Sequence, residues 1–269
     1  MAGRLLDLNL DAPDPNGVAK TAAIVTGASS GLGRATAHLV AQAGRPVAVW
    51  GRNEVRTMRV AEECRHLGVE AIGVSFDISD RMAVVGAVAK SEKSLGLIGG
   101  LAMCHGIAPL GDFKNFNFES LELCLQTNLT SLAYTMDAAL PSLLRVGRGA
   151  AIVAALSTAA LRSTPLMPEY TAAKHGALGL IRAAARSLGP EGIRVNAVCP
   201  GAMDTPMLEA GLTTSGDDRE LIYNSIIASI PLGYISDPIE VAHVLRFLIS
   251  PESSYINGAD IAVDGGMVV

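Results

Sequence analysis

Cysteine is scarce in this sequence, and the few cysteines are not arranged to bind metal. There are four among 269 residues, with no Cys-x-x-Cys pair and no Cys/His spacing that would hold zinc. Three of them, Cys104, Cys124 and Cys199, lie in apolar segments, where a cysteine is most often a small buried hydrophobic residue. We therefore expect no metal site, and a protein of a reducing compartment, the cytoplasm.

Clusters of positive charge and long apolar runs are missing as well. The 21 Lys and Arg residues are scattered among 26 Asp and Glu residues, and the net charge is −5. Nucleic acids and anionic membrane surfaces bind basic residues gathered in one place, so neither is expected as a partner. No uninterrupted apolar stretch reaches the length of about 18 residues that would span a membrane. The N-terminal sequence MAGRLLDLNLDAPDPNG also lacks the apolar core of a secretion signal.

Short apolar runs alternate with helix-like runs after an N-terminal arm, residues 1–19, that we expect to be flexible. The first apolar run is TAAIVTG at 21–27, the last is ADIAVDGG at 259–266, and five others lie between them. Continuous apolar strands alternating with helices indicate a parallel sheet covered on both faces. We predict an α/β fold: a single doubly wound (Rossmann) domain over 20–269, with a seven-stranded parallel sheet and helices on both faces.

The stretch 205–236 breaks this alternation. It is polar and contains the sequence TTSGDD. A mobile lid over a substrate site would have this composition, and so would a simple excursion of the chain over the surface. We predict a lid.

A glycine-rich turn, TGASSGLG at 26–33, joins the first predicted strand to the first predicted helix. Glycines there allow a tight turn and let a ligand touch the backbone. The start of the helix offers free N–H groups and the positive end of the helix dipole, which suits a pyrophosphate. The spacing is Gly-x-x-x-Gly-x-Gly, which differs from the common Gly-x-Gly-x-x-Gly of dinucleotide-binding folds.

Four further motifs follow in order. They are Ser157 thirteen residues before Tyr170, YTAAK from Tyr170 to Lys174, NAVCPG at 196–201 and DGG at 264–266. Together with the glycine turn they resemble the short-chain dehydrogenase/reductase family, from about residue 20 to the C-terminus. The resemblance implies a shorter-type, NAD(P)-dependent oxidoreductase that interconverts CH–OH and C=O groups of a small molecule.

The tyrosine and lysine of the YTAAK motif would lie one helical turn apart on one face. A free tyrosine has a pKa of about 10, so a tyrosine that acts as a general base near neutral pH needs its pKa lowered by roughly 2–3 units. An ammonium about 4 Å away supplies about 4 kcal/mol at an effective dielectric of about 20, which is of the right size. The resemblance makes Tyr170 the general acid/base, and Lys174 a further hydrogen-bond donor to the nicotinamide ribose.

Two more catalytic residues are implied by the resemblance. Ser157 would hold the substrate oxygen and stabilise its developing charge. Asn128, in TNLTS, would interrupt a long helix within 119–145 and support a proton relay through water. Taken alone, Ser157 could equally be a helix cap, and Asn128 a polar residue inside a helix.

One motif departs from the family pattern. Many members carry Asn-Asn-Ala-Gly at the end of the fourth strand, whereas this chain reads MCHG at 103–106. Gly106 is kept, but the amide side chains that brace this strand end are lost. His105 could be a proton shuttle, yet we interpret it as a residue that fills a strand-end position.

The end of the second predicted strand indicates which nicotinamide cofactor binds. An acidic residue about 20 positions after the glycine turn would bind the 2′-hydroxyl of NAD, but that place falls on Gly51, followed by Arg52. Glycine leaves room for a phosphate and arginine supplies a fork of donors, so NADP(H) is favoured, with NAD(H) as the alternative. Asp77 matches the acidic residue that touches the adenine amino group in the family. The full set of expected cofactor contacts is Gly27, Ser29, Ser30, Gly31, Leu32, Gly33, Gly51, Arg52, Asn53, Asp77, Ile78, Gly106, Tyr170, Lys174, Pro200, Gly201 and Thr205.

The substrate site should lie beyond the carboxyl ends of the strands. Its predicted wall consists of small or flexible apolar and hydroxyl residues, namely Thr158, Ala159, Met167, Met203, Met207 and Leu208. No paired Arg or Lys stands among them to clamp an anion. An uncharged, fairly bulky ketone or secondary alcohol is therefore expected as the substrate.

The helix that carries Tyr170 is rich in small residues, and many family members pair such helices across a two-fold axis. We expect a homotetramer or a homodimer. Two other interpretations stay open: a non-catalytic dinucleotide-binding scaffold, and an enoyl reductase acting on a C=C bond. Family members of the latter kind space the tyrosine and lysine further apart.

Overall fold

The seven apolar runs form one parallel sheet in the computed structural model, which describes residues 21–214 and 219–268. The strands are β1 (Ala22–Thr26), β2 (Val47–Gly51), β3 (Ala71–Ser75), β4 (Ile98–Met103), β5 (Ala151–Ala155), β6 (Arg194–Pro200) and β7 (Asp260–Val263). Their order across the sheet is β3-β2-β1-β4-β5-β6-β7, and every neighbouring pair is parallel. The strand order changes direction between β1 and β4, where ligands bind in open α/β sheets.

The helices follow the strands in alternation. They are α1 (Gly31–Gln42), α2 (Glu54–His66), α3 (Arg81–Leu95), α4 (Phe118–Leu125), α5 (Ser131–Val146), α6 (Pro168–Leu188), α7 (Pro206–Thr214), α8 (Arg219–Ala228) and α9 (Pro238–Leu248). Capping side chains in the local sequence determine where several of these helices begin. The carboxylate of Asp80 accepts hydrogen bonds from the N–H groups of Met82 and Ala83 at the start of α3, as a cap does. Asp237 and Glu240 form a capping box at the start of α9.

Apolar side chains cover both faces of the sheet. On one face, Trp50, Leu101 and Ile152 pack with residues of α3, α5 and α6. On the other face, Val25 and Val49 pack with residues of α1, α2 and α9. Each fully buried aliphatic side chain contributes about 1.5–3 kcal/mol to folding. The predicted fold, a seven-stranded parallel sheet with helices on both faces, is confirmed.

The predicted long helix of 119–145 is interrupted. α4 ends at Leu125, a π-helical segment spans Gln126–Thr130, and α5 begins at Ser131. Asn128 lies in the middle of this segment. Such single-turn π-helical insertions are frequent at functional sites.

The remaining domain predictions are not decided by the fold. The predicted flexible arm, 1–19, lies outside the described residues. The stretch 205–236 holds α7 and α8, and its role as a lid stays a prediction, as do the domain limits.

Candidate active site

A cavity of about 360 Å³ opens at the carboxyl ends of the strands. It lies at the place where the strand order changes direction, between β1 and β4. Sixteen of the seventeen residues predicted to contact the cofactor line it: Gly27, Ser29, Ser30, Gly31, Leu32, Gly33, Gly51, Arg52, Asn53, Asp77, Ile78, Gly106, Tyr170, Lys174, Pro200 and Thr205. Gly201 does not. A β-carbon on it would lie 2.9 Å from Asp264 Cα, so its glycine serves the close approach of two backbone segments.

The glycine turn brings backbone close to backbone around this cavity. Gly27 has a φ of +63°, and a β-carbon there would lie 2.8 Å from the backbone of His105. A β-carbon on Gly33 would lie 2.4 Å from the carbonyl oxygen of Gly27. No side chain caps the first turn of α1, whose N-cap residue is Ser30. The cradle therefore has the shape and the N–H donors that a dinucleotide pyrophosphate needs.

The end of β2 differs in one respect from the prediction. Gly51 was expected to leave room for a phosphate, but a β-carbon there would lie 2.6 Å from Thr57 Oγ1 and 2.9 Å from Ser29 Cβ. The space is occupied by the start of α2 and by the glycine turn, so the glycine is required for packing. Arg52 is exposed and lines the cavity.

Two other residues near this strand end have assignable roles. The side chain of Asn53 caps α2 by accepting from the N–H of Arg56 at 2.9 Å. Asp77 accepts from the hydroxyl and the N–H of Ser79, and these bonds hold the pKa of Asp77 below its ordinary value. The carboxylate is thereby kept ionised and oriented beside the cavity.

Arg56 also lines the cavity, although the sequence analysis did not identify it. It lies in the first turn of α2 and is exposed. Its place at the start of the helix that follows β2, four residues after Arg52, is the signal that could have found it.

Tyr170 and Lys174 line the cavity, and Ser157 lies beside Tyr170. Ser157 follows β5, and as a hydrogen-bond partner its side chain acts to lower the pKa of the Tyr170 phenol. The same Ser157 oxygen accepts from the N–H of Ala159 at 3.0 Å, so the residue also caps a short 3-10 turn. The ammonium nitrogen of Lys174 donates to the carbonyl oxygen of Ala155 at 3.3 Å and lies 5.4 Å from the centre of the Tyr170 ring.

The electrostatics of this set differ from the expected lowering of the tyrosine pKa. Burial raises the pKa of Tyr170 to about 12, and only the hydrogen bond with Ser157 acts against it. Burial also lowers the pKa of Lys174 to about 8. The physical reason is that both groups are removed from water, which disfavours the charged form of each.

Asn128 is fully buried and bonded to the chain after β4. Its side-chain oxygen accepts from the N–H of Ile107 at 3.1 Å, and its amide nitrogen donates to the carbonyl oxygen of Ile107 at 2.9 Å. A β-carbon on Gly106 would lie 2.6 Å from the Asn128 side-chain oxygen and 3.6 Å from the Lys174 ammonium. The retained Gly106 thus leaves space for Asn128 and Lys174 to approach each other.

His105 is buried between two hydroxyl groups. Its Nδ1 lies 2.6 Å from Thr26 Oγ1 and its Nε2 lies 2.7 Å from Ser131 Oγ. Burial lowers the pKa of His105 to about 3. A histidine that stays neutral at physiological pH with both nitrogens engaged is unsuited to shuttle protons, which agrees with the strand-end interpretation.

The residues predicted to form the substrate wall are divided between the cavity lining and other places. Met203 and Met207 line the cavity, whereas Thr158, Ala159, Met167 and Leu208 do not. Ala159 and Met167 pack instead in a small apolar cluster around Tyr170. Twelve further residues that were not predicted as contacts also line the cavity, namely Trp50, Arg56, Phe76, Ser79, Cys104, His105, Ile107, Leu123, Thr127, Ala155, Leu156 and Pro206.

None of the helices in the described parts of the chain is long and apolar enough to cross a membrane. Within 21–214 and 219–268, no group of three or more His, Cys, Asp or Glu residues could hold a metal ion.

Known proteins resemble this chain over most of its length. A family model described as enoyl-(acyl carrier protein) reductase matches residues 27–268. L-rhamnose 1-dehydrogenase (NAD(P)(+)) of Azotobacter vinelandii is 35% identical over 250 residues, 91% of this chain and 96% of that protein. The 2,5-dichloro-2,5-cyclohexadiene-1,4-diol dehydrogenase LinX of Sphingobium indicum is 31% identical over 254 residues, 94% of this chain and 98% of that protein. The crystal structure of a short-chain type dehydrogenase/reductase from Mycobacterium marinum matches with a TM-score of 0.85 at 29% identity, covering 93% of this chain and 96% of that chain.

A doubly wound sheet with a glycine cradle at its switch point defines a dinucleotide-binding oxidoreductase. The chain belongs to the short-chain dehydrogenase/reductase family. The predicted family and the predicted enzyme class, an NAD(P)-dependent oxidoreductase, are confirmed.

Proposed function

We propose that this protein is an NADP(H)-dependent oxidoreductase that interconverts an uncharged ketone and its secondary alcohol. The observation that carries the proposal is Tyr170, which lines the same cavity as the glycine turn and has Ser157 and Lys174 beside it. The cofactor supplies hydride exchange at the substrate carbon when it is bound. The residues described next provide everything else that the reaction needs.

Tyr170 is the proton donor to the ketone oxygen, and the proton acceptor in the direction of oxidation. Its raised pKa favours the protonated phenol, which is the form that reduction requires. Ser157 donates a hydrogen bond to the substrate oxygen and stabilises negative charge as it develops. Lys174 lies beside the phenol and would bond the ribose, and Asn128 would support a water that passes a proton to Lys174 and from there back to Tyr170.

The preference for NADP(H) rests on the two exposed arginines of the cavity rim. Arg52 follows β2 directly, and Arg56 lies in the first turn of α2. Their guanidinium groups can hold a 2′-phosphate from two sides, and each can donate two parallel hydrogen bonds to it. Asp77 is the carboxylate among the residues that line the cavity, and it accepts hydrogen bonds from Ser79. NAD(H) remains the alternative cofactor.

The substrate class rests on the lining of the inner cavity. Ile107, Leu123, Leu156, Met203 and Met207 are apolar residues that line the same cavity as Tyr170. An anion placed there would lose its hydration without gaining a cationic partner beyond Lys174, at a cost of several kcal/mol. One relative, LinX, is named as a dehydrogenase of a cyclohexadiene diol, and this supports a cyclic substrate.

A C=C reductase is the second candidate, because the matching family model is described as an enoyl reductase. The Tyr-x-x-x-Lys spacing of this chain argues for the carbonyl reaction, since Tyr170 and Lys174 then share one face of α6. Reduction of an enoyl thioester without reduction of any ketone would favour the second candidate.

The experiment pairs neutral and anionic ketones of matched size and follows the absorbance of the reduced nicotinamide with NADPH and with NADH. We expect kcat/KM to be at least about tenfold higher for the neutral member of each pair, and higher with NADPH. Preference for the anionic member contradicts the substrate class. Preference for NADH contradicts the assignment of NADP(H) as the cofactor. Tight binding of NADPH without turnover of any ketone favours the non-catalytic dinucleotide-binding scaffold.

The assembly, lid and compartment predicted from the sequence are part of this proposal. The α6 helix carries Gly176 and Gly179 among small residues, which permits close pairing of helices in a homotetramer or homodimer. Light scattering at micromolar concentration tests it, and a monomer would contradict it. α7 and α8 are proposed to cover the substrate, and the cytoplasm is the proposed compartment.

A further inference from the structure

A continuous line of buried hydrogen bonds passes through His105 and joins the glycine turn to the π-helical segment. On one side, His105 bonds Thr26, the last residue of β1, which directly precedes Gly27. On the other side, it bonds Ser131, which directly follows the segment Gln126–Thr130. These three side chains are buried, so water does not compete for the bonds.

The direction of each hydrogen bond follows from the number of protons available. The Ser131 hydroxyl donates its one proton to the carbonyl oxygen of Thr127 at 2.6 Å, so it accepts from His105 Nε2. His105 is neutral, so its Nδ1 carries no proton and accepts a hydrogen bond from the Thr26 hydroxyl. Thr26 in turn accepts from the N–H of Cys104 at 3.1 Å. All the donors and acceptors in the line are satisfied with a single tautomer.

This line ends on the segment that carries Asn128. The Thr127 carbonyl oxygen accepts the hydrogen bond from the Ser131 hydroxyl, and Thr127 directly precedes Asn128. Asn128 in turn holds both backbone groups of Ile107. A shift of the π-helical segment would therefore move Asn128 relative to Gly106 and the Lys174 ammonium.

We propose that His105 is a positioning residue that fixes the π-helical segment against the glycine turn and so sets the placement of Asn128. The inference rests on the proposed function, because it assumes that Asn128 supports proton transfer. His105 is the third residue of MCHG, next to the two positions at which the family pattern has amide side chains, and it supplies hydrogen bonds on both of its sides. The Ser131 side of the ring is the one that controls Asn128.

Two substitutions separate the two sides of the ring. In His105→Asn the amide reaches about as far as Nδ1 and can bond Thr26 but not Ser131. In His105→Gln the amide reaches about as far as Nε2 and can bond Ser131 but not Thr26. We expect His105→Asn to lower kcat by about tenfold with little change in KM for the ketone, whereas His105→Gln stays within about threefold of wild type. Ser131→Ala breaks the same link from the other side and should match His105→Asn.

The melting temperature distinguishes positioning from general destabilisation. Both His105 variants lose one buried hydrogen bond, so both should melt lower by similar amounts. Equal losses of kcat in the two variants, or wild-type kcat in Ser131→Ala, would overturn the proposal. His175→Asn is the matched control, because His175 is exposed and bonds only Thr171 of its own helix.

Two further measurements complete the test. His105→Asn combined with Asn128→Ala should be no slower than Asn128→Ala alone, because both act through one group; additive losses would overturn the proposal. Amide hydrogen exchange of peptides covering 105–110 and 126–131 should accelerate in His105→Asn and not in His105→Gln. Exchange is measured without substrate, so a protein that reduces no ketone would refute the proposed function while the exchange result still decides the placement of Asn128.

Discussion

The ammonium nitrogen of Lys174 lies 5.4 Å from the centre of the Tyr170 ring and donates to the carbonyl oxygen of Ala155. The two side chains share one face of α6, as their four-residue spacing predicts, and both are buried. Burial favours the uncharged form of both side chains: it raises the pKa of Tyr170 to about 12 and lowers the pKa of Lys174 to about 8. The free protein therefore holds a protonated phenol beside a lysine that titrates close to neutral pH.

The lowered pKa of Lys174 predicts how stability depends on pH. Between pH 8 and the ordinary lysine value of 10.5, the unfolded chain binds a proton at Lys174 that the folded protein has released. The free energy of unfolding therefore rises with pH through this window. Below pH 8 the charge on buried Lys174 destabilises the folded protein. Lys174→Met should be more stable than wild type at pH 7, and this advantage should shrink by about 2–3 kcal/mol by pH 10.5.

Denaturant unfolding of wild type and Lys174→Met at both pH values measures this difference. Groups that titrate equally in the two proteins cancel in the comparison. A stability difference that does not change with pH would mean that Lys174 keeps its ordinary pKa in the folded protein.

Arg52 and Arg56 are predicted to distinguish NADPH from NADH together. Replacing either by alanine removes a charged donor to the 2′-phosphate, so NADPH binding should weaken by about tenfold for each, with NADH binding nearly unchanged. Arg59→Ala is the matched control, because Arg59 is paired with Glu63 on the same helix. Titration of cofactor fluorescence measures the affinities. Equal weakening of both cofactors in Arg56→Ala would remove Arg56 from the phosphate site.

Gly51 is predicted to affect cofactor binding through packing as well as charge. A β-carbon there meets Thr57 and Ser29, so Gly51→Ala should weaken both cofactors by displacing the glycine turn. Gly51→Asp should weaken NADPH further than Gly51→Ala does, because its carboxylate repels the phosphate. The NADPH-to-NADH affinity ratio of the two variants separates the effects. If Gly51→Ala and Gly51→Asp have the same NADPH-to-NADH affinity ratio, the phosphate does not lie beside Gly51.

The sequence predicts those parts of the site that depend on local pattern. Apolar runs and helix spacing place Tyr170, Lys174 and the glycine turn correctly, because each lies within one element or at its end. Other features depend on the approach of distant segments. The contact of Gly51 with Thr57, the position of Arg56 on the cavity wall and the bonds of His105 to Thr26 and Ser131 are set by tertiary packing. Ala159, one of the predicted substrate residues, follows a strand end but packs in the Tyr170 cluster.

The electrostatic prediction failed for a related reason. A pair of charges at an assumed separation gives an attraction, but the cost of burial depends on how much of each group the fold removes from water. For Tyr170 and Lys174 burial is the largest effect in the free protein. Sequence spacing carries no information on that burial.

The most direct measurement of the central claim is the turnover of Tyr170→Phe with NADPH and a neutral ketone, alongside its affinity for NADPH. Only the phenolic oxygen is removed, and the ring can keep its place among Cys124, Ala159 and Ala173. The account predicts that kcat falls by at least about a hundredfold, as loss of a general acid requires, while the affinity for NADPH stays within about threefold of wild type. Turnover close to wild type, with NADPH still bound, would contradict Tyr170 as the proton donor.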